Sequence, residues 1–247
     1  MRVQRRLDLP AAPPGELAAG GGAGRRAAAR AGELTVPGVV AVIGAAGRTG
    51  RHVVRLAHAA GYAVRGLVRT AEQAQAVQAL GAVPVYGDLK VEWEAVLDGA
   101  DAVVWCAGTG RDSTSTEIGR DALIAVARRL MARGPRRLLV VSSKSADHPE
   151  RVHPALGDAL RAKAVSDAFV RGSGLEWTIV RPGGLTDEPG TGQVTVGMDL
   201  PGGKIAREDV AAVLVACLED PRTVGQQFEV LGGEQAIAAA LACLSAR

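Results

Sequence analysis

One seven-residue stretch, Gly44-Ala45-Ala46-Gly47-Arg48-Thr49-Gly50, places glycine at every third position. It directly follows the apolar run VVAVI and opens a helix-like segment. Glycines at such a junction permit a tight turn and let backbone amides approach a pyrophosphate, with the helix N-terminus favouring the anion. Gly44, Ala46, Gly47, Arg48, Thr49 and Gly50 are therefore candidate phosphate-binding residues, an ordinary β–α turn being the bland alternative. Arg69 stands 19 residues after Gly50, at the end of the next apolar run. A dinucleotide site selective for NAD carries an acidic residue about there, to bind the ribose hydroxyls. A guanidinium instead suits a 2′-phosphate, so NADP(H) is the expected cofactor, with Arg48 as a second contact. The alternative for Arg69 is a solvated charge at a strand end.

Ser142 and Ser143 close a later apolar run, LLVVSS. Strand ends of open α/β sheets are where ligands bind, so Ser142 is a candidate hydrogen-bonding partner for a substrate oxygen on which charge develops. A capping or turn role is the alternative. His148 and His153 lie beside prolines in the loop that follows. They lack ligand-like partners in the pattern, so no metal site is expected. Cys106 follows an apolar run without a cationic neighbour in sequence, which reads as an inert thiol, and Trp105 beside it reads as core.

These residues are spaced by elements that alternate strictly. Helices are predicted over 49–60, 70–80, 91–97, 115–132, 155–171 and 207–218, with a last one from Glu234. Strands are predicted at VVAVI and over 63–68, 83–86, 102–106, 137–142, 177–181 and 227–231. Short apolar strands alternating with helices imply a single α/β domain, a Rossmann-type doubly wound parallel sheet of about seven strands with helices on both faces. Two stretches exceed ordinary connections, 143–154 and 182–204, both rich in Gly, Pro and Asp. Long loops in such folds are usually functional, so both are expected to shape a substrate site.

Composition narrows the rest. The chain has 247 residues, 47% hydrophobic and 3% aromatic. The scarcity of aromatics disfavours nucleic-acid modules built on base stacking. No apolar run reaches the length of a membrane span. Residues 1–38 hold six arginines against three acids, leaving 23 basic and 23 acidic residues of the 29 and 26 in the whole chain. A neutral body carries no electrostatic footprint for nucleic acid or an anionic membrane. The Ala/Gly/Pro/Arg-rich segment 1–37 is expected to be a disordered extension to the domain at 38–247. Arg5-Arg6 is not followed by the apolar stretch of an export signal. Three widely spaced cysteines exclude a disulfide framework and fit a reducing cytoplasm.

Taken together, VVAVIGAAGRTGRHVV, VRGLVR, GDL, DAVVWCAG, LLVVSS, GLEWTIVRPGGLTDEPGTG and REDVAAVLVACLEDPRTVGQQFEVLGG resemble the atypical short-chain dehydrogenase/reductases. The resembling branch is that of the NAD(P)H-binding, NmrA-like and biliverdin-reductase-B-like proteins. The resemblance covers essentially all of 38–247. It implies that Gly44, Gly47 and Gly50 cradle the pyrophosphate and that Arg69 meets the adenosine phosphate. It further implies that Asp88 and Leu89 flank the adenine, that Ala107 and Gly108 line the nicotinamide ribose, and that Pro182 and Gly183 abut the nicotinamide. Typical members of the superfamily act through Ser, Tyr and Lys, the Tyr four residues before the Lys. Here the helix lysine is Lys163, implied as a ribose contact and catalytic partner of Ser142, and Ala159 stands where the tyrosine belongs. Tyr86 and Lys90 have the right spacing but the wrong place in the fold.

Three functions follow as expectations. One is an NADP(H)-dependent oxidoreductase passing hydride to a quinone, flavin or carbonyl, acceptors of which some take their proton from solvent. Another is a dinucleotide-sensing regulator working through a protein partner. The third is a pathway enzyme performing epimerisation, dehydration or rearrangement. A small-molecule substrate and a monomer or homodimer are expected, with neither nucleic acid nor membrane as partner.

Overall fold

The first strand, β1 (Val39–Ile43), is buried along nearly its whole length. Its side chains alternate, Ala41 and Ile43 entering one apolar cluster and Val40 and Val42 the other. A strand with two apolar faces must be covered on both sides, and that requirement organises the domain. The computed structural model describes residues 38–108, 117–151 and 156–244. The expected extension over 1–37 lies outside them, as does His153.

Helices and parallel strands then alternate: α1 (Arg48–Ala59), β2 (Ala63–Val68), α2 (Ala71–Gln78), β3 (Ala82–Tyr86), β4 (Ala102–Trp105), α3 (Leu123–Ala132), β5 (Arg137–Val141), α4 (Gly157–Arg171) and β6 (Glu176–Pro182). α1 buries Gly50, Val53, Val54 and Ala57, one face at helical spacing, and leaves Arg48, Arg51 and Arg55 outside it. Gly61 and Gly81, at φ of 92° and 95°, end the turns after α1 and α2, where a left-handed residue is needed. α5 (Arg207–Glu219) packs with α1 on one face of the sheet, whereas α3 and α4 cover the other.

The order β3-β2-β1-β4-β5-β6 is the doubly wound arrangement, so the expected fold class stands. The strand count does not. Among the described residues the main sheet has nine strands, continuing from β6 through β10 (Gln226–Gly232), β8 (Gln193–Gly197) and β11 (Gln235–Ala236). β8 runs antiparallel to β10, pairing Val196 with Val230 and Val194 with Gly232. Stretch 182–204 is therefore not a plain loop. It also holds β7 (Gly184–Thr186) and leads into β9 (Lys204–Ala206), which pair in a small second sheet. The period-2 pattern of Gln-Val-Thr-Val-Gly was the signal for β8, hidden among glycines and prolines.

Three predicted helices also differ. Of the predicted 91–97 only Glu94–Leu97 is helical, as a 3₁₀ turn, because the residues before it close a turn instead, Val91 N donating to Asp88 O at 2.9 Å and Asp88 N to Glu92 O at 2.7 Å. The predicted helix over 115–132 enters α3 through a π-turn, Glu117–Ala122. After Glu234 the chain first makes β11, and only then α6 (Ile237–Ala242).

Candidate functional site

The C-terminal ends of β1, β2 and β4 frame a cleft of about 240 Å³. Its floor is the glycine turn, contributing Gly44, Ala46 and Gly47. Gly44 has φ 88°, and a Cβ there would lie 2.6 Å from the Ala107 amide nitrogen. Only glycine lets the end of β1 close so tightly onto the end of β4. Gly47 caps α1 without a side chain, and the first helical turn has no acidic residue. Its amides and the positive end of the helix dipole are thus left to an external anion. This cradle fits the pyrophosphate of a dinucleotide.

Around it the structure gathers Arg69, Asp88, Leu89, Ala107 and Gly108, all lining the cleft. Arg69 is exposed at the end of β2. Its amide donates to Gln73 Oε1 at 2.8 Å, while Thr70 Oγ1 accepts from Gln73 N at 3.2 Å. Thr70 and Gln73 have the spacing of a capping box, a sequence signal that could have found Gln73 as the residue bracing Arg69. Asp88 Oδ1 accepts from the Lys90 amide at 2.9 Å, closing the turn after β3. Lys90, Leu67, Gly87, Cys106 and Ile118 also line the cleft, and sequence reasoning named none of them as cofactor contacts. Thr49 and Gly50 sit in the first turn of α1, Gly50 buried against the turn behind the lining residues. Arg48 points elsewhere: its guanidinium pairs with Asp187 at 3.2 Å, both side chains exposed.

Ser142, Lys163, Pro182 and Gly183 form a second group on the neighbouring strand ends. The Ser142 amide donates to Val180 O at 2.8 Å and that of Lys144 to Pro182 O at 2.9 Å. Gly183 is pressed against the Gly203 carbonyl, which a Cβ would approach to 2.6 Å. Lys163 Nζ donates to Val141 O at 3.1 Å, which brings α4 to the end of β5. Burial pulls the Lys163 ammonium below the usual lysine range, against the nearby Asp167. Cys106 links the two groups, lining the cleft while lying within electrostatic reach of Lys163. Burial pushes its thiol up to about 12, so it is a thiol and not a thiolate at neutral pH.

Beneath Ser142 lies a network that sequence reasoning missed. Ser142 Oγ donates to Asp167 Oδ2 at 2.7 Å. Arg181 donates to the same oxygen through Nε at 3.0 Å and Nη2 at 2.7 Å, and grips Asp147 through Nη1 at 2.5 Å and Nη2 at 3.0 Å. Burial raises the Asp167 carboxyl, opposed by Arg181. The Arg181 hydrogen bond holds the half-exposed Asp147 below the usual carboxylate range. Next door, Lys144 Nζ pairs with buried Glu229 at 2.9 Å. The signal was a charged residue, Arg181, inside the apolar strand WTIVRP, with Asp167 one turn beyond Lys163.

His148 is on the surface beside Glu150, and Trp105 is core at 1% exposure. Among the described residues no group of three or more His, Cys, Asp or Glu side chains is placed to hold a metal. Nor is any described helix long and apolar enough to cross a membrane.

The family model described as NAD(P)H-binding matches residues 44–221, from the glycine turn to the end of α5. The chain belongs to this NAD(P)H-binding family. The uncharacterized sugar epimerase YhfK of Bacillus subtilis is 36% identical over 210 residues, covering 82% of this chain and 98% of its own. A Bacillus halodurans structure provisionally described as an NAD-dependent epimerase/dehydratase superposes with a TM-score of 0.80 at 31% identity, over 83% of this chain and 99% of that one. The anaerobillin reductase ChuY of Escherichia coli O157:H7 shares the fold, with a TM-score of 0.68 at 22% identity over 78% and 97% of the two chains.

Proposed function

We propose that this chain is an NADP(H)-dependent oxidoreductase that passes hydride between the dinucleotide and a small quinone, flavin or carbonyl compound. The observation that carries the cofactor choice is Arg69, exposed at the cleft edge where an acidic side chain would select NAD(H). When bound, NADP(H) supplies the hydride chemistry. The glycine turn and the amides at the start of α1 hold its pyrophosphate, Arg69 pairs with its 2′-phosphate, and Lys163 steadies its ribose. The walls at Ala107, Gly108, Pro182 and Gly183 orient the reacting ring beside Ser142.

The missing tyrosine narrows the substrate. The chain has two tyrosines. Tyr62 precedes β2, at the opposite edge of the sheet, and Tyr86 is exposed on the outer strand β3. Neither reaches Lys163, so acceptors that take their proton from solvent are favoured over those needing a tyrosine relay. Sugar epimerisation is the second reading, favoured by the name of the Bacillus subtilis relative. It cycles hydride and leaves no net cofactor oxidation, which separates it from the first.

Calorimetric titration tests the cofactor assignment. NADPH should bind at least tenfold more tightly than NADH, a difference of about 1.4 kcal/mol. Arg69→Ala should remove that preference by weakening NADPH alone. Equal affinities in the unaltered protein would overturn it.

A further inference from the structure

A serine hydroxyl has one proton to donate and two lone pairs with which to accept. In this fold the proton of Ser142 is directed inward, onto Asp167 Oδ2 at 2.7 Å. Asp167 cannot turn away. Its Oδ2 is held by two Arg181 donors, and Arg181 is itself fixed by the two-bond grip on Asp147. Asp167 Oδ1 is buried with no hydrogen-bond partner. Three donors therefore converge on one oxygen while the other receives none, although a freely rotating carboxylate would share them. The carboxylate is oriented, and its orientation decides which way Ser142 points.

We infer that Asp167 is a positioning residue that makes Ser142 a hydrogen-bond acceptor toward the substrate, so that this subsite takes a group bearing a donor, such as a hydroxyl. The inference rests on the reading of the site as a hydride-transfer centre and deepens it. It reverses the role that spacing alone suggests for Ser142, as a donor to a developing oxyanion. Donor capacity at the end of β5 belongs instead to Lys163, whose Nζ places only one of its three N–H groups on Val141 O. Acceptor and donor then meet the same strand end, Ser142 directly after Val141 and Lys163 reaching the Val141 carbonyl from α4. That pairing complements the hydroxyl form of a carbonyl or quinone, the reduced member of the couple, better than the oxidised form. Ser142 is thus not the source of the proton that accompanies hydride.

Benzoquinone and its hydroquinone make a matched pair of probes, equal in ring and unequal in donors. Each is titrated into the complex that cannot react with it, quinone into protein with NADP⁺ and hydroquinone into protein with NADPH. The unaltered protein should bind the hydroquinone at least tenfold more tightly. Asp167→Ala frees the Ser142 proton and should abolish or invert that ratio. Asp167→Asn, whose amide oxygen can still accept from Ser142 and Arg181, should keep it, an outcome that a merely structural role for the charge would not give. Ser142→Ala should abolish it as well. Should Asp167→Ala not fold, the Asp167→Asn and Ser142→Ala pair decides the matter alone. An unchanged ratio in Ser142→Ala or Asp167→Ala, or no preference in the unaltered protein, overturns the inference. Because binding is read without turnover, failure of hydride transfer with every acceptor would count separately, against the oxidoreductase reading.

Discussion

Two buried arginines on neighbouring strands of the same sheet have opposite surroundings. Arg137 begins β5, at the edge away from the cleft, and is 9% exposed. Its guanidinium donates to Glu176 O at 2.9 Å, Cys217 O at 2.7 Å and Thr223 Oγ1 at 2.9 Å, all uncharged acceptors. Arg181 lies near the end of β6, at the edge that frames the candidate site, and meets two carboxylates. At the first site the charge is dissolved in carbonyl dipoles and fastens α5 to the sheet. At the second it orders titratable groups around Ser142 and leaves a buried oxygen unpaired. Burial alone does not distinguish structural from functional charge; the partners do. A network that keeps an unsatisfied group inside the fold retains a cost that a purely structural contact has no reason to retain.

Replacing Arg181 should have the larger effect. Arg181→Met leaves Asp167 as an uncompensated buried charge, and the expected loss is about 3–5 kcal/mol near neutral pH. That loss should depend on pH. Burial already raises the folded-state pKa of Asp167 above its unfolded value, and without the guanidinium it rises further. The folded form then holds more protons than the unfolded form between those two values, and stability falls as pH rises through that window. Denaturant unfolding across acidic to neutral pH should show the variant closest to the parent in acid. A loss equal at every pH would mean that Asp167 is not the group left uncompensated.

Arg137→Met sharpens the contrast from the other side. It strands two carbonyls and a hydroxyl, none of which titrates, and should cost about 1–3 kcal/mol. The loss should vary far less over the same pH range, since Arg137 supplies only the smallest part of what holds Asp220 low, and NADPH affinity should stay at the parent value. A weakened cofactor complex would contradict the assignment of this arginine to structure alone.

The same contrast explains what was legible in the sequence. Elements that depend on local pattern were readable: VVAVI as a two-faced strand, the glycine turn after it, and the apolar face of α1. The cleft half of the candidate site follows from them, because Gly44, Gly47 and Arg69, which line it, are set by strand ends and one helix start. Arg137 and Arg181 could not be sorted, since their partners lie 39 to 86 and 14 to 34 residues away in sequence. The added strands β7, β8 and β9 were obscured for a related reason. The glycines and prolines around them read as loop, and only pairing with β10 and with each other makes them strands. Local pattern announces a glycine turn at a helix start, whereas a buried ion network exists only once distant segments meet.

Stoichiometric NADPH oxidation tests hydride transfer most directly. The protein is mixed with an equivalent of NADPH and a panel holding a quinone, a flavin and small carbonyl compounds, and the reduced nicotinamide absorbance is followed in a single turnover. Net loss of that absorbance is expected with at least one quinone or flavin acceptor, and a slower loss in Arg69→Ala at limiting NADPH. NADPH that binds tightly yet stays reduced in the presence of every acceptor would contradict it.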